Sequence, residues 1–190
     1  MTGALGFVLA GGASRRMGRD KAQLEWQGRS LLDHALERLR GACDEVFVLC
    51  GPGSRYEGHG APLLLDAQPG QGPLAGLLAG LERLDRRPGL FLAVDVPRVP
   101  VELLAFLLAA VEGHDAAVPV PAAGPEPLVA AYTRACLEPV RRRLAAGERR
   151  LTCFWPDVDV RRLGEGELRR FGPPELVFAN LNAPGDWPPA

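Results

Sequence analysis

The order of apolar and polar segments along this chain of 190 residues constrains its fold more than any other feature. Short apolar runs bounded by Gly, Pro or Asp alternate with longer segments that have helical spacing, and this pattern is typical of buried strands alternating with helices. The sequence predicts strands over residues 5–10, 46–50, 63–66, 90–94 and 116–120, and further strands over residues 128–132, 158–160 and 176–179.

Four helices are predicted between these strands, and two of them have clear end signals. Ser30 is a good N-cap for a helix over residues 31–40, which Gly41 ends. Pro100 is predicted as the first residue of a helix that Gly113 ends. The other two helices are predicted over residues 74–84 and 134–146.

Alternating buried strands and helices place helices on both faces of a mostly parallel sheet. The predicted fold class is therefore α/β, with a three-layer α/β/α Rossmann-like architecture, and the length fits a single domain over residues 1–190. Ligands of such sheets bind beyond the carboxyl ends of the strands. We therefore expect the loop after the first strand, Asp66 and Asp95 to lie close together.

Composition and charge argue against several classes of protein. A net charge of −1 gives no general attraction to nucleic acid or to an anionic membrane. The four cysteines include no Cys-x-x-Cys pair, which argues against a structural zinc site. The N-terminal segment has neither a basic region nor a long apolar run, so we expect a cytoplasmic protein with reduced thiols.

The loop over residues 11–21 combines close backbone approach with positive charge. Gly11 and Gly12 follow the first strand and let the backbone approach a ligand, so that its N–H groups can surround an anion. Arg16 and Lys21 add positive charge to the same loop. This combination suits a pyrophosphate or a triphosphate, although the spacing matches neither a Walker A loop nor the Gly-x-Gly-x-x-Gly fingerprint.

Lys21 is the single lysine among the 22 basic residues of the chain. An ammonium group is a compact point charge, whereas a guanidinium group is a wide planar fork, so the two are not equivalent at a tight phosphate site. The presence of this one lysine in the glycine-rich loop therefore makes it a candidate for phosphate binding.

Two aspartates follow predicted strands. Asp95 comes at the end of an apolar strand, where a carboxylate is well placed to hold Mg²⁺, an ion that binds through one or two carboxylates plus substrate phosphates. Asp66 precedes a Gly/Pro-rich loop and can accept hydrogen bonds from a ribose or a base. The helix that begins near Pro73 presents free N–H groups to the same crevice.

Asn180 and Asn182 are the two asparagines of the chain. They follow the strand predicted over residues 176–179, and both side chains lie on one face if that strand continues through them. An amide oxygen at this place can help to ligate Mg²⁺ or bind a second substrate. The alternative is a turn with local hydrogen bonds before Pro184.

Taken together, these motifs resemble those of the MobA-like nucleotidyltransferase family. The resemblance covers nearly the whole chain and rests on Leu9-Ala10-Gly11-Gly12, Arg16-Met17-Gly18, Asp20-Lys21, Gly72-Pro73-Leu74-Ala75-Gly76, Asp95-Val96-Pro97, Glu148-Arg149-Arg150 and Asn180-Leu181-Asn182-Ala183-Pro184. The full set is typical of the guanylyltransferase branch, since the cytidylyltransferase branch has Ala-Ala-Gly in place of Ala10-Gly11-Gly12. One departure is the absence of the asparagine that family members often carry after the second strand, where this chain has Cys50-Gly51.

The resemblance implies the transfer of GMP from GTP to the phosphate of molybdopterin, with release of pyrophosphate and with Mg²⁺ as cofactor. Lys21, Asp95 and Arg16 would act in catalysis, and Asp95 would hold the metal. Asn180, Asn182 and Arg149 would lie on the pterin side. The residues that would contact the nucleotide are Leu9, Ala10, Gly11, Gly12, Lys21, Asp66 and Asp95.

The same resemblance bears on partners and leaves alternatives open. GTP and molybdopterin are the expected substrates of a monomer that transiently contacts molybdopterin carriers or molybdoenzymes. The nearest alternative is the same chemistry with another base or acceptor, as in a molybdopterin cytidylyltransferase or a sugar-1-phosphate transferase. A second alternative is a non-catalytic GTP-binding carrier. Asp95 argues against it, because a carrier has no need of a metal-binding carboxylate beside the phosphate loop. A third is an interaction module that binds through residues 141–150 and is released by salt.

Overall fold

The computed structural model describes residues 3–10, 20–51, 56–65 and 72–181 of the chain. The strands within these residues are β1 (Leu5–Leu9), β2 (Glu25–Trp26), β3 (Arg29–Ser30), β4 (Glu45–Cys50), β5 (Leu63–Leu65), β6 (Gly89–Ala93), β7 (Ala116–Val120), β8 (Val129–Tyr132) and β9 (Val160–Gly164). The α-helices are α1 (Leu31–Arg40), α2 (Pro73–Arg83), α3 (Val101–Ala110), α4 (Leu137–Ala145), α5 (Glu165–Leu168) and α6 (Pro174–Val177).

Seven of the nine described strands form one sheet, in the order β5-β4-β1-β6-β8-β7-β9. Strand β8 is antiparallel to its neighbours β6 and β7, and every other pairing in this sheet is parallel. The mostly parallel sheet predicted from the sequence is therefore confirmed. Strands β2 and β3 form a separate small hairpin that the sequence analysis did not predict.

Helices cover both faces of the sheet and give the predicted three layers. Successive residues of β1 point to opposite faces, so that Val8 lies in one apolar cluster and Phe7 in the other. The cluster around Val8 includes residues of α1, α3, α5 and α6, whereas the cluster around Phe7 includes residues of α2 and α4. In the second cluster, Phe7 stacks on both Phe47 and Phe91.

Helix α1 begins and ends where the sequence predicts. The Ser30 hydroxyl accepts a hydrogen bond from the Asp33 backbone N–H at 3.0 Å, which satisfies one of the donors left free in the first turn. Such caps contribute about 1 kcal/mol to helix stability. The apolar face of the helix packs on the sheet through the buried residues Leu31, Leu32, Ala35, Leu36 and Leu39.

Helix α2 lies so close to β6 that Gly80 has no room for a side chain. A Cβ atom at this position would lie 2.4 Å from Cε1 of Phe91, which is part of the aromatic stack. At Gly76, on the same helix, an added Cβ would make only an ordinary contact with Leu9 at 3.4 Å. The two glycines therefore differ in packing while sharing a helical backbone.

We expect Gly80→Ala to lower the free energy of unfolding by about 1–3 kcal/mol relative to Gly76→Ala, because overpacking a close-packed layer forces neighbouring groups to move. The gain in helix propensity of about 1 kcal/mol on replacing Gly by Ala applies to both variants and so cancels in the comparison. Urea denaturation of the two proteins measures the difference. Equal midpoints and slopes would contradict the close contact with Phe91.

Three predictions in the second half of the chain were inaccurate. Residues 176–179 do not form a strand, because helix α6 occupies Pro174–Val177. The strand predicted over residues 158–160 is displaced to Val160–Gly164, and Pro100 is the N-cap of α3 rather than its first helical residue. A short apolar run does not by itself distinguish a strand from one turn of helix, and Pro is favoured at the start of a helix.

The described helices are all short. The longest of them, α2, has 11 residues, whereas a helix needs about 20 to cross the hydrocarbon core of a bilayer. Within the described ranges, then, no helix combines the length and the apolar character of a membrane span.

Candidate active site

The carboxyl ends of β1 and β6 lie side by side and bring two predicted site residues together. The backbone N–H of Val94 donates to the carbonyl of Leu9 at 3.3 Å, and that of Ala10 donates to Leu49 in β4 at 3.0 Å. These bonds extend the sheet past the strand ends, so Ala10 and Asp95 lie at the edge where ligands of parallel sheets bind.

Asp95 and Lys21 form an ion pair at this edge. Lys21 Nζ donates to Asp95 Oδ2 at 2.9 Å across 74 positions of sequence. The two side chains are 26% and 21% exposed, so the pair is partly screened by protein but remains open to a ligand. The structure thus joins the lysine of the predicted phosphate loop to the predicted metal ligand.

The backbone around Lys21 is held by its neighbours. Asp20 accepts a hydrogen bond from the Ala22 N–H at 3.1 Å and so caps a short 3₁₀ turn over Lys21–Gln23. Ala22 is fully buried beneath this turn. A capped turn with a buried centre fixes where the Lys21 side chain leaves the backbone.

Tyr56 is a site-proximal residue that the sequence analysis missed. Its hydroxyl donates to the Asp20 carboxylate, at 2.9 Å from Oδ2, and lies 3.1 Å from the carbonyl oxygen of Ala10. Only 1% of the residue is exposed. Tyr56 therefore connects the end of β1 to the turn that carries Lys21. No local pattern pointed to it, since it follows a Gly/Pro-rich stretch that is typical of a surface loop.

An open cavity of about 250 Å³ lies next to the ion pair. Its polar lining includes Asp95, Glu126 and Asn180, and its remaining lining residues are Ala93, Val96, Pro127, Leu128, Val129 and Leu151. Burial, and to a smaller extent the charge of Asp95, raises the pKa of the Glu126 carboxyl to about 7. The cavity therefore has two facing carboxyl groups, an amide and a mainly apolar wall.

Asn180 reaches this cavity by a route other than the predicted one. It follows helix α6 rather than a strand, so the predicted strand that would lead into Asn180 is wrong. Asn180 nevertheless lines the cavity, because the next residue, Leu181, donates its N–H to the Asp95 carbonyl at 2.8 Å. Asn182 lies outside the described residues.

Two of the other predicted site residues point elsewhere. The Leu9 side chain is buried in the apolar cluster beneath α2, so a nucleotide at this edge would meet its backbone rather than its side chain. Arg149 is exposed, and one of its guanidinium nitrogens donates to the carbonyls of Leu144 and Glu148 at 3.3 and 2.9 Å, near the end of α4. Arg149 is not part of the cavity lining, although Leu151, two residues later, is.

Four further predicted site residues, Gly11, Gly12, Arg16 and Asp66, lie outside the described ranges. Their assignments remain predictions from the sequence.

The donor atoms at this edge fit a hard divalent cation that is shared with a substrate. The described residues contain no group of three or more His, Cys, Asp or Glu side chains able to hold a metal by themselves. Mg²⁺ typically binds through one or two carboxylates and completes its shell with water and substrate phosphates, so a dedicated protein cage is not required. The Asp95 carboxylate and the Asn180 amide supply oxygen atoms of the right kind.

The chain is similar to known proteins over most of its length. A model of the MobA-like NTP transferase domain matches residues 6–158. The chain is 36% identical to a probable molybdenum cofactor guanylyltransferase of Chloroflexus aggregans, covering 95% of this chain and 90% of that protein. It is 38% identical to a protein of the same description in Deinococcus radiodurans, over 94% and 89% of the two chains.

A solved structure shows the same fold over almost the whole length. Molybdopterin-guanine dinucleotide biosynthesis protein A of Archaeoglobus fulgidus superposes with a TM-score of 0.80 at 28% identity, covering 96% of this chain and 94% of that one. The family match and the level of identity to full-length relatives place this chain in the MobA-like NTP transferase domain family.

Proposed function

We propose that this protein is a molybdenum cofactor guanylyltransferase, which transfers GMP from GTP to the phosphate of molybdopterin and releases pyrophosphate. The observation that supports the proposal is the Lys21–Asp95 ion pair, which sets the single lysine of the chain beside a carboxylate that follows β6. Ligands of parallel sheets bind at this edge. Relatives that match nearly the whole chain bear this description.

The reaction places few covalent demands on the protein. An oxygen of the molybdopterin phosphate attacks the α-phosphorus of GTP, a new P–O bond forms, and the bond to the β-phosphate oxygen breaks as pyrophosphate leaves. Catalysis of such transfers depends mainly on positioning and on stabilising charge. Lys21 would bind the phosphates and offset the negative charge that grows on them, because its ammonium group lies beside Asp95 at this edge of the sheet.

Asp95 is the residue that would hold Mg²⁺, with Asn180 or Asn182 as a further oxygen ligand. The ion would supply charge neutralisation at the substrate phosphates. Lys21 and Asp95 neutralise each other in the ion pair. We propose that binding of the nucleotide gives each of them its functional partner, phosphate for Lys21 and metal for Asp95.

The remaining predicted assignments complete the proposal. The nucleotide side would comprise Ala10, Gly11, Gly12, Asp66 and the backbone of Leu9, with Arg16 near the transferred phosphate. Asn180 and Asn182 would face the acceptor. We retain the expectation of a cytoplasmic monomer whose single domain spans residues 1–190.

Pyrophosphate release tests the reaction, the base and the acceptor together. The assay supplies GTP, with ATP and CTP as parallel controls, in the presence of Mg²⁺ and with or without molybdopterin. We expect pyrophosphate release from GTP but not from ATP or CTP, and only when molybdopterin is present. Release with CTP would favour the cytidylyltransferase alternative, and binding of GTP without release in a folded sample would favour a carrier.

A further inference from the structure

Glu126 is a carboxylate at the candidate site to which the proposed reaction gives no role. It lies beside Asp95 because of the pairing between β6 and β8. The Ala93 N–H donates to the carbonyl of Leu128 at 2.8 Å, and the two strands are antiparallel. Asp95 follows the end of β6 and Glu126 precedes the start of β8, and both side chains line the same cavity.

The backbone around Glu126 is fixed, although its carboxylate is not engaged. The Glu126 N–H donates to Pro119 at 2.9 Å, and the Glu126 carbonyl accepts from Val129 at 3.0 Å. Within the described parts of the chain, the half-buried Glu126 carboxylate makes no hydrogen bond or ion pair. A partly desolvated carboxylate without a donor is costly, so its presence in a cavity favours a ligand that brings N–H groups.

The wall of the cavity suits a flat ring. Pro127, Leu128, Val129 and Leu151 provide apolar surface, and Asn180 provides an amide. The volume of about 250 Å³ is slightly below the roughly 300–1,000 Å³ that is typical of sites for drug-sized ligands. The cavity therefore has room for one fused heteroaromatic ring system with polar edges.

We infer that Glu126 recognises the pterin ring of the acceptor by accepting two hydrogen bonds from its 2-amino-4-oxopyrimidine edge. This inference rests on the proposed function for the identity of the acceptor. The 2-amino group and the neighbouring ring N–H of a pterin present two parallel donors, the arrangement that a carboxylate binds in bidentate fashion. A pterin ring bound at Glu126 would leave its phosphate at the same edge of the sheet as Asp95 and Lys21.

A pair of matched ligands tests this directly. The 6-phosphomethyl derivative of pterin carries the 2-amino group, whereas the corresponding lumazine carries a carbonyl oxygen at that position. Intrinsic fluorescence of the two ring systems reports binding to the intact protein in mildly alkaline buffer. We expect the wild type to bind the pterin at least about 10-fold more tightly than the lumazine. The lumazine keeps the ring N–H as a donor but sets its carbonyl oxygen against the second carboxylate oxygen, and neither of these two oxygens then has a donor.

The discrimination should depend on Glu126 in particular. Glu126→Gln keeps the size of the side chain but replaces one acceptor by a donor, so we expect about 10-fold weaker pterin binding and loss of the preference over lumazine. Glu112→Gln, at an exposed glutamate, is the matched control and should bind like the wild type. Circular dichroism confirms that both variants are folded.

Three results would overturn the inference. The first is equal affinity of the wild type for the two ligands, and the second is an unchanged preference for the pterin in Glu126→Gln. The third is weaker Mn²⁺ binding by Glu126→Gln with pterin discrimination intact, which would make the residue a metal ligand instead.

The full reaction separates this inference from the proposed function. If the wild type transfers GMP to molybdopterin, Glu126→Gln should raise the KM for molybdopterin about 10-fold and leave the KM for GTP unchanged. An unchanged KM for molybdopterin would refute the role of Glu126 alone. Absence of transfer by the wild type would refute the proposed function. The comparison of pterin and lumazine binding would still test whether Glu126 recognises the ring.

Discussion

Asp95→Asn is expected to lower kcat/KM for GMP transfer by about 10²–10³-fold, the loss that follows removal of one electrostatic group from a phosphoryl or acyl transfer site. Asparagine keeps the size of the side chain but removes the charge that would hold Mg²⁺. The Asp95 backbone also keeps its hydrogen bond from Leu181, so the edge of the sheet should remain folded.

The metal readout distinguishes a metal ligand from a structural residue. Binding of Mn²⁺ in the presence of GTP should weaken in Asp95→Asn, and excess metal should restore part of the activity. Asp159→Asn, at an exposed aspartate that pairs with His114, is the control and should retain wild-type rates. Wild-type turnover in Asp95→Asn would remove the carboxylate from the mechanism.

Lys21→Ala is expected to cost a similar factor, about 10²–10³-fold in kcat/KM, because it removes the ammonium group that lies beside Asp95 and that we propose binds the phosphates. Its ion pair with Asp95 is open enough to solvent that its loss should change the free energy of unfolding by at most about 1 kcal/mol. Activity should therefore fall while the urea midpoint stays nearly constant.

Lys21→Arg makes the test sharper, since it keeps the charge and changes the shape. A guanidinium group is wider than an ammonium group and spreads its donors in a plane, so we expect it to restore only a small part of the lost rate. Full activity in Lys21→Arg would show that charge alone is needed. Full activity in Lys21→Ala would contradict the assignment of phosphate binding to this residue.

The sequence predicted those parts of the fold that depend on local signals. Helix α1 follows from the Ser30 cap. Asp95 was singled out because it ends an apolar strand, and ligands of parallel sheets bind beyond the carboxyl ends of the strands. The segment 176–179 was assigned wrongly because four apolar residues in a row are compatible with either a strand or a turn of helix, and Pro173 and Pro174 favour the start of a helix there.

Residues defined by long-range pairing could not be predicted in this way. Glu126 becomes part of the cavity only through the register between β6 and β8, and Tyr56 reaches Asp20 from 36 positions away. Neither residue has a local pattern that indicates its place. The ion pair between Lys21 and Asp95 is likewise visible only in three dimensions, although each residue was singled out separately.

The most direct test of the account is a single-turnover experiment with GTP radiolabelled at its α-phosphate, molybdopterin and Mg²⁺. We predict that the wild type moves the label into a pterin dinucleotide, that label from CTP is not transferred, and that Asp95→Asn and Lys21→Ala leave the label in GTP. Transfer of label by both variants at the wild-type rate, or a wild type that leaves the label in GTP, would contradict the proposed site and its reaction.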